Sequence, residues 1–250
     1  MALSDEWWFS YLNRVAQATL DGGDEIVGFE PENVTNARED NVWRVADATM
    51  TLKGTLDSSL SMQGVIIRVY PGTEWDASDE ATLMLSDVDD ESNDVAEWTI
   101  PLDADLFTGC VVYLNASEVS AQYFNLSMPA QDIEHVHIGP LFLPQNFNRG
   151  PDTAPEFAGV IERSLFTSQK TVQAGPQTDR FNGQFEAWNL ADYQAWRTFA
   201  RTVGLTGSFA FGVSQTTQRA ESYIAHLTTS LSMRPVDNRW IGQIQLEALR

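Results

Sequence analysis

Two histidines separated by one residue, His135 and His137, are the first side chains in this 250-residue chain whose spacing could do chemistry. On a strand, residues two apart share a face, so the pair could offer two imidazole nitrogens to one metal ion. A third ligand would have to come from Glu134 or from a distant residue. No His-Glu-x-x-His run and no cysteine spacing supplies one, so no metal is assigned. Cys110, the one cysteine, stands beside Val111 and Val112; it reads as a buried strand residue and has no partner for an internal disulfide. Residues 87–94 read Asp-Val-Asp-Asp-Glu-Ser-Asn-Asp, an oxygen-rich run that could hold calcium. The EF-hand spacing fails, with Trp98 where the bidentate glutamate belongs, and an exposed hairpin loop is the reading. Neither a Gly-x-Ser-x-Gly elbow, nor a phosphate-binding glycine loop, nor a dinucleotide fingerprint is present. Carboxylates are abundant, yet no pair stands out for glycoside hydrolysis. The chain therefore reads as a non-enzyme without a cofactor.

The elements that must position these residues are mostly strands. Residues 7–20 carry apolar side chains at a helical period, which suits a short N-terminal helix, although Trp7-Trp8-Phe9 suits a strand as well. Between residues 25 and 128, short runs such as Val65-Ile66-Ile67-Arg68-Val69-Tyr70 and Val111-Val112-Tyr113-Leu114 are separated by Gly, Pro, Asp and Asn turns. Regularly spaced short strands without helices between them argue for a sandwich or jelly roll. The second half adds strand-like alternation, a long polar loop over 144–155, and one well-punctuated helix over 190–203. Asn189 is its N-cap, Asp192 stands three residues on near the positive end of the helix dipole, and Gly204 closes it. Leu190, Tyr193, Trp196, Phe199 and Val203 form its apolar stripe. The last strand alternates, with Trp240, Ile244 and Leu246 on one face and Ile241, Gln243 and Gln245 on the other. Residues 214–222 form a second polar loop.

Charge divides the chain. Residues 1–130 hold 24 Asp and Glu against 5 Lys and Arg, and residues 131–250 hold 11 against 10, so the balances are −19 and −1. A duplex nucleic acid would be repelled by the first half, which excludes it as a partner there. The acidic half reads as a solvated outer face. No apolar run approaches the ~20 residues that cross a bilayer, so membrane insertion is not expected. The start lacks the basic region of a secretory signal, which with the lone cysteine suggests a protein made in a bacterial cytoplasm. Two domains are expected, 1–130 and 131–250.

Two resemblances extend this reading. Pro31-Glu32-Asn33-Val34-Thr35-Asn36-Ala37-Arg38-Glu39-Asp40-Asn41-Val42-Trp43-Arg44 is similar to the opening of galactose-binding-like, discoidin-type jelly rolls, with Asn33 and Trp43 as anchors. In such openings the Trp packs under the loop while the Asn and Arg satisfy turn backbone. An Asn36-Ala37 step stands where an Asp is usual. The order His137-Ile138-Gly139-Pro140-Leu141-Phe142-Leu143-Pro144, then one helix, then Arg239-Trp240-Ile241-Gly242-Gln243-Ile244-Gln245-Leu246-Glu247 resembles the minor and distal tail proteins of long, non-contractile-tailed bacteriophages. The fold implied is mainly β: an N-terminal jelly-roll sandwich and a C-terminal β-sandwich or barrel with one packed helix.

The function implied is structural, a virion protein of the tail tip that joins the tail tube to the hub and fibres. Its partners would be other tail proteins and copies of itself in a ring, sixfold by preference and threefold as the alternative. Phe147, Arg149 and Arg219, on the two long loops, are the interface candidates. The alternative is a carbohydrate-binding receptor-recognition module of the tail, with Trp75, Trp98 and Tyr113 as a sugar platform.

Overall fold

The computed structural model of the chain describes residues 8–23, 26–35, 42–70, 75–76, 78–88, 94–103, 109–142, 152–156, 159–163, 169–173, 178–212 and 222–248. Its class is the one expected, mainly β, with two larger sheets and one packed helix toward the C-terminus. In chain order the strands are β1 (Trp8–Ser10), β2 (Thr19–Asp21), β3 (Thr49–Val69), β4 (Glu80–Ser86), β5 (Asp94–Pro101), β6 (Cys110–Pro129) and β7 (Ile133–Gly139). There follow β8 (Asp152–Glu156), β9 (Gly159–Arg163), β10 (Gln169–Gln173), β11 (Thr178–Ala187), helix α1 (Leu190–Val203), β12 (Ser208–Gly212), β13 (Ser222–Leu227), β14 (Ser232–Val236) and β15 (Arg239–Ala248).

The chain forms two compact units, one of residues 1–144 with 208–224 and the other of 145–207 with 225–250. The division does not fall at residue 130, where the charge count places it. β7 hydrogen-bonds antiparallel along the second half of β3 and so completes the first unit. Counted over these units the charge contrast sharpens: 27 acidic against 6 basic residues in the first, 8 against 9 in the second, or −21 and +1.

The first unit is built around two long strands, β3 of 21 residues and β6 of 20. Their pairing breaks register between Thr55 and Leu60 and again between Met62 and Gly64. Before the second break Met50, Leu52, Leu56 and Met62 enter the core; after it Val65, Ile67 and Val69 do. The phase switches because a one-residue slip moves every following side chain to the other face. Both halves of the β3–β6 pair thereby line one core, with β2, β4 and β5 beside the first half and β7 beside the second. Trp43, fully buried, belongs to that core, and its backbone exchanges hydrogen bonds with Ile133. Asn33 donates to the carbonyl of Val42 at 3.0 Å, so the Trp and Asn of the jelly-roll opening sit as the resemblance implies. Arg44 departs from it: its guanidinium pairs with the Asp132 carboxylate.

The N-terminal segment is not the helix that its period allows. Trp8 and Phe9 are both fully buried, which a strand covered on two faces permits, and β1 pairs with β12 some 200 residues away. A 3-10 turn at Val15–Gln17 and the short β2 follow.

In the second unit β14, β15, β11 and β8 hydrogen-bond in that order, and β9 and β10 make a separate hairpin. β8 begins at Asp152, so the last residues of the expected 144–155 loop are strand. Helix α1 covers one face of this sheet. Its N-cap is as expected, with Asn189 Oδ1 accepting from the Asp192 backbone at 2.9 Å, and Gly204 ends it at a φ of 58°. Trp196, Phe199 and Val203 are buried. Leu190, 58% exposed, is not part of the stripe: at ~100° per residue it lies about 120° around the axis from Trp196. Phe185 stacks on Trp196 with centroids 3.8 Å apart, and Tyr193 stacks on Trp240 at 4.8 Å. Gly242 is required here, because a Cβ at that position would fall inside the Phe185 ring.

Candidate functional site

Covering one face of the second unit's sheet leaves the other open, and strand alternation decides what that face displays. On β15 Ile244, Leu246 and Ala248 are buried, whereas Gln243 and Gln245 are exposed, the division that the sequence predicts. On β11 Phe181, Phe185 and Ala187 are buried and Gln184 is exposed; Glu186, on the face of Gln184, is covered as well, at 8% exposed.

The register aligns the open face in rows. Gln184 lies opposite Gln243, which lies opposite Ser232. The next row is Glu186, Ile241 and Arg234. Cross-strand neighbours of this kind hold their Cβ atoms about 5 Å apart, close enough to act on one ligand. Beyond them Arg239 Nη1 donates to Glu186 Oε2 at 2.8 Å, and its guanidinium stands 5.2 Å from the ring centre of Trp188. Trp188 is 55% exposed. Gln184, Ser232, Met233, Arg234, Ile241 and Gln243 line a cleft of about 300 Å³, at the small end of ligand sites. Two amides, a hydroxyl and a guanidinium converge there around two apolar side chains, Ile241 and Met233.

The sequence candidates fall elsewhere. Trp98 is 3% exposed, within the core of the first unit and 5.7 Å from the ring of Tyr113. It therefore offers no open face to a sugar. Trp75 and Tyr113 are partly buried against the same core, and Trp75 Nε1 donates to the Pro129 carbonyl at 3.4 Å. Phe147, Arg149 and Arg219 lie outside the described residues, as do residues 89–93 of the acidic run. Asp87 accepts a hydrogen bond from Ser59 Oγ at 3.0 Å. Trp188 directly follows β11 in the chain. Its phase with Gln184 and Glu186, the polar face, is the signal that marks it as exposed.

The histidine pair is built into the interior. Strand alternation turns His135 and His137 away from the core that holds Val136 and Ile138. They do share a face, their ring centres 6.2 Å apart, and each is 1% exposed. Residues 10–14 seal that face. His137 Nε2 is 2.8 Å from Ser10 Oγ, which donates to the Pro140 carbonyl at 2.8 Å. Asn13 donates to the Val136 carbonyl at 3.0 Å and accepts from Ile138 N at 3.2 Å. Arg68 Nε lies 3.0 Å from Glu134 Oε2 in the same buried layer. Burial, followed by the charge of Arg68, pushes the His135 pKa down to about 3. Burial, then His135 and Arg14, holds His137 well below the usual histidine range. Both are neutral at physiological pH and closed off from solvent. Among the described residues, no group of three His, Cys, Asp or Glu side chains stands ready to hold a metal.

No protein-family model matches the sequence, and no curated protein matches it. Among solved structures, a fucose-binding module of Streptococcus pneumoniae is similar at 16% identity and a TM-score of 0.41, over 52% of this chain and 95% of that one. A chitosan-binding module 1 derived from a chitosanase/glucanase of Paenibacillus sp. IK-5 is similar at 15% identity and a TM-score of 0.39, over 52% of this chain and 100% of that one. At these values the likeness decides nothing about a ligand.

Proposed function

We propose that the protein is a non-catalytic carbohydrate-binding protein and that its binding surface is the open face of the β14, β15 and β11 sheet. The observation that carries this reading is the row of Gln184, Gln243 and Ser232 on the same sheet face as the exposed Trp188, which stands four residues further along the chain from Gln184. A sugar ring has polar edges and an apolar face. Planar amides pair with adjacent hydroxyls, while an indole held against Arg239 supplies a platform for the C–H face. Screening the purified protein against soluble and insoluble polysaccharides tests the reading. Retention on at least one of them without release of sugar is expected, and retention on none contradicts it.

The setting proposed with it is a bacteriophage tail tip, where a bound glycan would be part of the host receptor. What supports the setting is the order of Ile138-Gly139-Pro140-Leu141-Phe142, one helix, and the terminal Trp240 to Glu247 strand. Under this proposal the +1 unit makes the ring contacts, sixfold by preference, with Phe147 and Arg149 in them; Arg219, the third interface candidate, belongs to the first unit. A ring joined through −21 units would suffer like-charge repulsion, screened only over ~8 Å at physiological salt. The mass of the protein in solution and with tail partners tests this: a closed ring is expected, and a strict monomer in both states contradicts it.

A further inference from the structure

The cleft on the open face has a composition that the rest of the chain does not lead one to expect. The protein carries 35 Asp and Glu against 15 Lys and Arg. None of the six side chains lining the cleft is acidic, and one is arginine. The two arginines of this face differ in their engagement. Arg239 is held by the Glu186 carboxylate and by Trp188. Arg234 is exposed, and among the described residues no carboxylate is recorded against it. It projects from the row of Ile241, one step along the sheet from the row of Gln184, Gln243 and Ser232. Serine and the two amides can each donate or accept, whereas the guanidinium only donates, and it is a planar fork suited to a carboxylate.

Resting on the carbohydrate-binding reading, we infer that the cleft takes an acidic saccharide, with Arg234 pairing a sugar carboxylate and Gln184, Gln243 and Ser232 pairing the neighbouring hydroxyls. The +1 balance of the second unit allows this where the −21 balance of the first would oppose it. A small cleft of about 300 Å³ suits one ring of a chain, the remaining rings lying along the exposed face toward Trp188.

The test compares oligogalacturonate with its methyl ester, in which each carboxylate charge is replaced by a neutral ester, by calorimetric titration of the full chain and of Arg234→Gln and Arg234→Lys. Wild type is expected to bind the free acid at least about tenfold more tightly, a ratio that narrows at high salt. Arg234→Gln should lose the preference while keeping its affinity for the ester and its melting temperature, and Arg234→Lys should keep part of it. Equal affinity of wild type for both ligands overturns the inference and leaves the carbohydrate-binding reading standing, as does a preference that survives in Arg234→Gln. Failure to bind either ligand, alongside retention on some other neutral polysaccharide, overturns the acidic-ligand inference alone. Failure with every saccharide overturns both.

Discussion

The rings of Phe185 and Trp196 lie 3.8 Å apart with 19° between their planes, and this contact fastens helix α1 to the sheet whose other face is open. Trp196→Ala removes a fully enclosed indole from that contact. A loss of about 3–5 kcal/mol is expected for the second unit. Denaturant unfolding followed by helix signal measures it, and a loss below about 1 kcal/mol would show that the helix is held in some other way.

Asn13 holds the N-terminal segment against β7 through two hydrogen bonds, with Val136 and Ile138, and its Oδ1 also accepts locally from Val15 N. Asn13→Ala leaves a β7 carbonyl and amide without that partner at a part-buried position. A cost of about 1–3 kcal/mol is expected. Hydrogen exchange should report it as faster exchange of the Ile138 amide; unchanged exchange there contradicts the assignment.

Acid should weaken the first unit. The native pKa of His135 lies near 3 and that of His137 below the usual range, because both are buried, whereas the unfolded chain titrates near 6.5. Between those values the unfolded chain binds more protons than the folded one. Stability is therefore complete above pH ~6.5 and declines as the pH falls, by up to about 1.4 kcal/mol per pH unit for each histidine. Comparing the melting temperature of wild type with that of His135→Leu from pH 7.5 to 4.5 cancels terms common to both. Wild type should fall more steeply. Parallel profiles would contradict the account.

What could be read from the sequence depended on how local the cause was. Helix α1 announced itself through Asn189, Asp192 and Gly204, all within one or two turns of its ends. The two faces of β15 were equally plain, since alternation of Trp240 to Leu246 needs no knowledge of the partner strand. The switch of phase in β3 was hidden, because it arises from an irregular register against β6 and not from any residue of β3 itself. The pairing of Trp8 with Gly212 was hidden for a similar reason. Trp98 was misjudged as a platform although its phase with Ile100, also buried, was available. The cleft escaped notice because its side chains come from three strands that are adjacent only in the sheet.

The measurement that bears most directly on the central claim is the affinity for a retained polysaccharide, compared among wild type, a Trp188→Ala, Gln243→Ala double variant, and Val95→Ala. Val95 is 49% exposed in the first unit and serves as the control for an unrelated surface change. The account predicts binding at least about tenfold weaker in the double variant, at an unchanged melting temperature, and unaltered binding in Val95→Ala. Full affinity in the double variant would contradict it, and would move the binding surface off the open face of the second unit.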